Sequence, residues 1–275
     1  MKRAVGALVL VALFAAGCQY ASSVAPGADV AVDVRVPDAV DLTWNEFLVH
    51  LDPTVLVWAE QAHVNLRSVV THALARIEGA LRGRPVAISI AAGSYWRIPD
   101  IGIGGDTNRT SGDVSITMDA RRPTPVRQML TVWLPVALAH ELHHSKRVVD
   151  GPGYGSTLLD AIVAEGGADA FVREVYPSAP AIPWVHPLAA DEERTVWHSA
   201  RAALGAPDDL DLHNQWFVGG QGLPKWAGYR LGYAVARAYL RRHANATAAS
   251  LATLPAARVF SESGIVHAMD SGPGR

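Results

Sequence analysis

The stretch Ala139-His140-Glu141-Leu142-His143-His144 decides how this chain is read. It contains His-Glu-x-x-His, and residues 127–147 around it carry apolar side chains at helical spacing. Four residues of helix turn through about 400°, so His140 and His144 leave one face about one turn apart. Two imidazoles so placed can share one zinc ion. Glu141 lies about 100° round the helix from His140, where its carboxylate would reach a water on the metal, the position of a general base. His143 is turned by a similar angle from His144 and reads as a supporting or surface histidine.

Working outward, residues 156–175 form a second helical segment, and it carries Glu165 followed by Gly166-Gly167-Ala168-Asp169. A catalytic zinc takes three protein ligands and keeps one position open, and two His with one Glu make such a set. Two glycines inside a helix cost roughly 1 kcal/mol each relative to alanine, which implies a packing or site reason. The expectation is close packing of this helix on the one that bears the histidines. Asp169, one turn beyond Glu165, is placed to accept the second ring N–H of a zinc histidine and to fix its orientation. A hydrogen-bond donor to the oxyanion is also needed, and Tyr229, Tyr233 and His213 are the candidates. The tyrosines lie one turn apart in a helical segment that spans 225–243.

These residues resemble the gluzincin arrangement, His-Glu-x-x-His followed by Glu-x-x-x-Asp. More closely, residues 110–243 resemble a bacterial family of predicted zinc-dependent proteases first described as a domain of unknown function. The likeness rests on 139–144, on the run from Leu159 to Phe171, on Pro183-Trp184, and on Leu223-Pro-Lys-Trp-Ala-Gly-Tyr-Arg-Leu-Gly-Tyr233. The resemblance implies a zincin-like fold, one zinc ion and peptide-bond hydrolysis. A peptide or protein is then the expected substrate.

The remainder of the 275 residues fits an exported protein. Lys2 and Arg3 precede an apolar run over 4–16, and Ala15-Ala16-Gly17 leads to Cys18, the sole cysteine. This resembles the lipobox of bacterial lipoproteins, so Cys18 is the expected lipidation site and a membrane anchor. A run of about 13 apolar residues is too short to span a bilayer as a helix. A lone cysteine also excludes an intrachain disulfide and any multi-cysteine metal site. The net charge of −2 becomes about −4 without Lys2 and Arg3, and there is no long basic run. Nucleic acid is therefore not an expected partner.

The organisation expected is a signal peptide at 1–17, a lipidated N-terminus and tether at 18–29, one domain at 30–260 and a flexible tail at 261–275. The fold class is α+β: a small mixed N-terminal sheet with helices to about 147, a mostly helical half after it, and the active site in the cleft between. Strands are expected at 30–36, 86–91 and 113–119, the last as a half-exposed edge strand able to pair with an extended peptide. A helix is expected at 64–81, a Gly-rich irregular loop at 93–112, and further helices at 156–175 and 188–204. Two other classes fit the same sequence: a non-catalytic, zinc-stabilised envelope lipoprotein, which has no need of Glu141, and a metal-free binding lipoprotein that uses the cleft.

Overall fold

The computed structural model describes residues 38–270, apart from 46, 83–84, 94–97, 99, 183 and 186–188. The expected leader, tether, Cys18 and strand at 30–36 therefore lie outside the described residues. Within them, the N-terminal side is a five-stranded mixed sheet with helices, and the C-terminal half is mostly helical.

The sheet opens with a hairpin outside the expected strands, β1 (Val40–Trp44) and β2 (Phe47–Leu51). In β2 burial alternates strictly, with Phe47, Val49 and Leu51 buried and Leu48 and His50 outward. One face of the strand thus packs on the core. Helices α1 (Pro53–Gln61) and α2 (Leu66–Leu81) follow, capped by the side chains of Asp52 and Asn65. β3 (Val86–Ala92) then pairs parallel with β2.

The order of the last two strands corrects the expected edge. The strand foreseen at 113–119 is β5 (Val114–Met118), and it lies inside the sheet, parallel to β3 on one side. On its other side it pairs antiparallel with β4 (Ile103–Thr107), which forms the true edge in the order β1-β2-β3-β5-β4. β4 sits in the stretch expected as a Gly-rich irregular loop. Its centre, Gly104-Gly105-Asp106, holds none of the β-branched and aromatic residues that mark strands, so pairing with β5 rather than propensity makes it a strand.

The histidine-bearing helix is entered through α3 (Val126–Gln128) and a π-helical turn over Met129–Trp133, and it runs as α4 (Leu134–Asp150). Pro135 stands at its start. A proline has no N–H and crowds the preceding turn, and the wider π turn before it accommodates both effects. Helix α5 (Leu158–Val175) starts from a capping box between Thr157 and Asp160 and is buried on all sides from Ala161 to Val172. A helix without a polar face belongs at the centre of a helical layer. Around it lie α6 (Ala190–Ala203), α7 (Leu210–Phe217), α8 (Ala227–Arg242), α9 (Ala248–Leu251), α10 (Ala256–Ser263) and α11 (Ile265–Asp270).

Two further expectations change. Residues 261–270 continue α10 and α11, with Ser263 and Ile265 buried, so the chain stays ordered beyond the expected start of a tail. The glycine pair divides its work between two helices. A Cβ on Gly166 would stand 1.9 Å from the carbonyl carbon of Gly232, so Gly166 permits α5 to touch α8. Gly167 instead meets the His143 ring on α4, at 3.0 Å from its Cε1.

Candidate functional site

Helices α4 and α5 bring His140, His144 and Glu165 to one point. Nε2 of His140 and Nε2 of His144 are 3.1 Å apart, and Oε2 of Glu165 lies 3.0 Å from the first and 3.3 Å from the second. Bonds of about 2.0–2.2 Å at tetrahedral angles place donor atoms about 3.3 Å apart, so this triangle has the size of one face of a zinc polyhedron. All three side chains are largely buried, and two neutral nitrogens with one carboxylate oxygen are the donor types that zinc takes.

The surroundings hold these donors in place. The other nitrogen of His140, Nδ1, donates to Oδ1 of Asp169 at 3.1 Å, while Oδ2 of Asp169 accepts from Nε1 of Trp184 at 2.9 Å. The ring is thereby turned so that Nε2 faces Glu165. Burial opposes charge on His140, but hydrogen bonds to Asp169 and Glu165 hold its pKa well above the usual value. Burial likewise opposes charge on Glu165, and the two imidazoles overcome it and hold its carboxyl well below the usual range. Both shifts describe one buried ionic cluster. Nδ1 of His144 has no hydrogen-bond partner among the described protein atoms.

Glu141 is buried beside this cluster and coordinates nothing in it. Its Oε2 accepts from the Thr107 hydroxyl at 2.8 Å, and the same hydroxyl lies 3.0 Å from the Glu141 carbonyl oxygen. Its side chain lies flat on β4, where a Cβ on Gly105 would come within 2.4 Å of Cγ. Burial raises its pKa, opposed by the nearby imidazoles. Neither Thr107 nor Gly105 carries a motif or periodic signal in the sequence that marks it for this site.

The oxyanion-donor candidates separate in space. Tyr229 and His213 both border the cluster, together with His140 and Glu141. Burial, then the charges of Glu165, Asp169 and Glu141, raise the Tyr229 pKa well above normal, so its hydroxyl keeps its proton. His213 stacks on Phe217 at 4.3 Å, and its Nδ1 meets Asp208 at 3.2 Å. Tyr233, by contrast, lines neither cavity at the cluster, and its hydroxyl accepts from Arg237 at 3.3 Å. Successive turns of a helix drift around its axis, and α8 aims only the first of the two tyrosines at the site.

Other residues take supporting places. Tyr154, in the loop between α4 and α5, donates to Oε1 of Glu165, and the Arg109 guanidinium covers its ring at 4.1 Å. His143 is buried rather than on the surface, with its Nε2 donating to the Ala248 carbonyl at 3.2 Å. Trp197 and Trp216 are core residues, while Trp184 and Trp226 line a cavity at the site.

Two cavities meet at the cluster. One, of about 420 Å³, is bordered by polar and charged groups such as Asp106, Arg109 and Asp208. The other, of about 360 Å³, is walled by aromatic and branched side chains. His140, Glu141, Gly105, His213 and Tyr229 border both. A family model described as "Predicted Zn-dependent protease" matches residues 122–261. No curated protein matches the chain.

Proposed function

The chain belongs to the predicted Zn-dependent protease family (DUF2268), whose model covers about half of it, and from that premise we propose that it is a zinc-dependent peptidase of zincin-like fold. The observation that carries this reading is the convergence of the His140, His144 and Glu165 donor atoms, with the Glu141 carboxylate held just outside them. A zinc ion held by these three residues would polarise the scissile carbonyl and bring the pKa of a water down to about 7. The residues around it supply the rest.

Glu141 takes the proton of the attacking water and passes it to the leaving amine. Thr107 keeps the carboxylate from swinging into the ligand set by holding Oε2. Asp169 keeps His140 in the tautomer with a free Nε2. Tyr229 donates a hydrogen bond from its hydroxyl to the developing oxyanion, and His213, steadied by Asp208, borders the same space. The edge strand β4 is open beyond the single bridge of Ile98 to Ile103 among the described residues. Its backbone can therefore pair with an extended peptide beside Glu141. Structural zinc sites are closed by four protein ligands, whereas these three donors border the polar cavity and His140 the apolar one as well, which favours a catalytic ion over a purely structural one.

The proposal includes export and anchoring. It rests on the apolar run over 4–16 and the lone Cys18. No helix among the described residues is long and apolar enough to cross a membrane. Cys18→Ser should release the protein from membranes, because a lipidated cysteine carries the multiple chains that stable anchoring requires. Unchanged fractionation of that variant counts against the anchor.

The deciding experiment pairs zinc content with hydrolysis of a peptide library, with and without a chelator. Replacement of His140, His144 or Glu165 by alanine should abolish stoichiometric zinc. Full zinc retention in Glu165→Ala would remove it from the ligand set. Loss of hydrolysis on chelation, restored by zinc, is the result expected of the parent protein.

A further inference from the structure

We propose that the apolar cavity beside Glu141 is a side-chain specificity pocket, and that it selects peptides with a large aromatic residue next to the scissile bond. The proposal deepens the peptidase reading and rests on it. Three observations carry it.

First, the cavity opens on the reacting groups: His140 and Glu141 form part of its wall, so whatever fills it is adjacent in the chain to the bond at Glu141. Secondly, its chemistry is one-sided. Ile101, Ile103, Trp133, Ile182, Trp184 and Phe217 line it and are themselves almost fully buried. Among the described residues, the one charged group at its margin besides the catalytic residues, Lys225, lies over the Trp226 ring at 4.6 Å and pairs with Asp100 at 3.4 Å. A charged guest would lose its hydration with no free partner among the described residues to replace it, whereas an apolar guest is stabilised by burial.

Thirdly, the wall presents rings at mutual angles. Trp184 and Tyr229 have centroids 5.3 Å apart at 47°, Trp226 and Tyr229 5.7 Å apart at 69°, and Phe217 and Tyr229 5.1 Å apart at 85°. Tilted faces and edges of this kind are the complement of another aromatic ring. Trp226 is held in place at some cost, in the left-handed region at φ 67°, where a bulky residue is rarely found. A volume of about 360 Å³ lies at the lower end of ligand-sized cavities and suits one large side chain rather than a whole peptide.

The rim points the same way. Among the described residues, the large apolar side chains that stand exposed are Leu48, Leu210 and Val218. Val218 borders the apolar cavity and Leu210 the polar one, at the two ends of α7. Exposed apolar groups at the mouth of a cavity mark a contact surface for the rest of the ligand.

The test uses zinc-loaded full-chain protein and peptides that differ only at the residues flanking the cleaved bond, with Phe, Leu, Ala, Glu or Lys at each in turn. The expected result is a kcat/KM at least about 10-fold higher for Phe than for Ala on one side of the bond, with Glu and Lys lowest. Ala137→Phe, which fills the cavity from α4, should cut the Phe preference by about 10-fold without changing zinc content. Val218→Asp, on an exposed position where folding is not at stake, should lower kcat/KM for the Phe peptide more than for the Ala peptide. Binding of the same peptides to zinc-loaded Glu141→Gln protein, followed by tryptophan fluorescence, reads the pocket without turnover.

Glu141-dependent hydrolysis in which Phe is no better than Leu or Ala overturns the aromatic pocket and leaves the peptidase standing. Tighter binding of the Phe peptide with no hydrolysis in the parent overturns the peptidase and leaves the pocket. Neither binding preference nor hydrolysis overturns both.

Discussion

The Tyr154 hydroxyl donates to Oε1 of Glu165, which leaves Oε2 of the same carboxylate turned toward both His140 and His144. Burial and the adjacent Glu165 charge raise the Tyr154 pKa well above normal, so the phenol stays protonated and remains a donor. Tyr154 thus positions, from the loop that joins α4 and α5, a carboxylate of the candidate metal site.

Removing that hydroxyl leaves Oε1 without its donor and frees the carboxylate to rotate. Tyr154→Phe should lower zinc affinity by about 10-fold to 100-fold, as the loss of groups that orient ligands does. Competition with a chelator of known affinity measures it. Asp169→Asn should fall in the same range by loosening His140, with activity partly restored by added zinc. Parent-like affinity in both variants would mean that the two hydrogen bonds add nothing to the site.

Glu141 and Thr107 form the second such pair. Glu141→Gln keeps the shape and the Thr107 contact but cannot take a proton. Peptide hydrolysis should fall by at least about 100-fold in a zinc-replete, folded protein. Thr107→Val removes a buried hydrogen bond to a carboxylate, a loss of about 1.5–3 kcal/mol, so activity should fall by roughly 10-fold to 100-fold with zinc unchanged. Loss of zinc from Glu141→Gln would place Glu141 among the ligands instead, and parent-rate hydrolysis by it would end the general-base assignment.

The contrast between these residues explains what the sequence discloses. His140, Glu141 and His144 lie within five residues, and Glu165 and Asp169 within another five, so helical periodicity alone says which share a face. Tyr154 and Thr107 have no such periodic mark. Each reaches the site through tertiary packing, Tyr154 from a Gly-Pro-rich loop and Thr107 from an edge strand whose two glycines read as loop. The same gap misplaced the edge of the sheet, because β5 alternates in sequence whether or not another strand covers its side. Likewise the Gly166-Gly167 pair signalled close packing, but the partner of Gly166 is Gly232 on α8, a contact between residues far apart in the chain.

That contact is testable through stability. A Cβ on Gly166 would lie 1.9 Å from a backbone atom of α8, and a backbone cannot rotate aside as a side chain can. Gly166→Ala should gain helix propensity but lose more to overpacking, about 1–3 kcal/mol, lowering Tm by at least about 2 °C. Gly79 on α2, with nothing within 4 Å of its would-be Cβ, is the control. Gly79→Ala should be neutral or stabilising. A parent-like Tm for Gly166→Ala would show that α5 and α8 can separate without cost.

The remaining assignment is the oxyanion donor, and here the geometry narrows three candidates to two. Tyr233 is turned to Arg237, so Tyr233→Phe should hydrolyse peptides at the parent rate. Tyr229 keeps its proton because burial and three surrounding carboxylates oppose ionisation, and its hydroxyl is an available donor at the cluster. A donor that acts on charge developing only in the transition state lowers kcat when lost and leaves KM largely alone. Tyr229→Phe should therefore reduce kcat by about 100-fold to 1000-fold with zinc content and KM little changed. His213 is tied at Nδ1 to Asp208 and stacked on Phe217, so His213→Ala also removes packing, and it should raise KM and lower kcat together. If Tyr229→Phe turns over at the parent rate while His213→Ala loses kcat at constant KM, the oxyanion role belongs to His213.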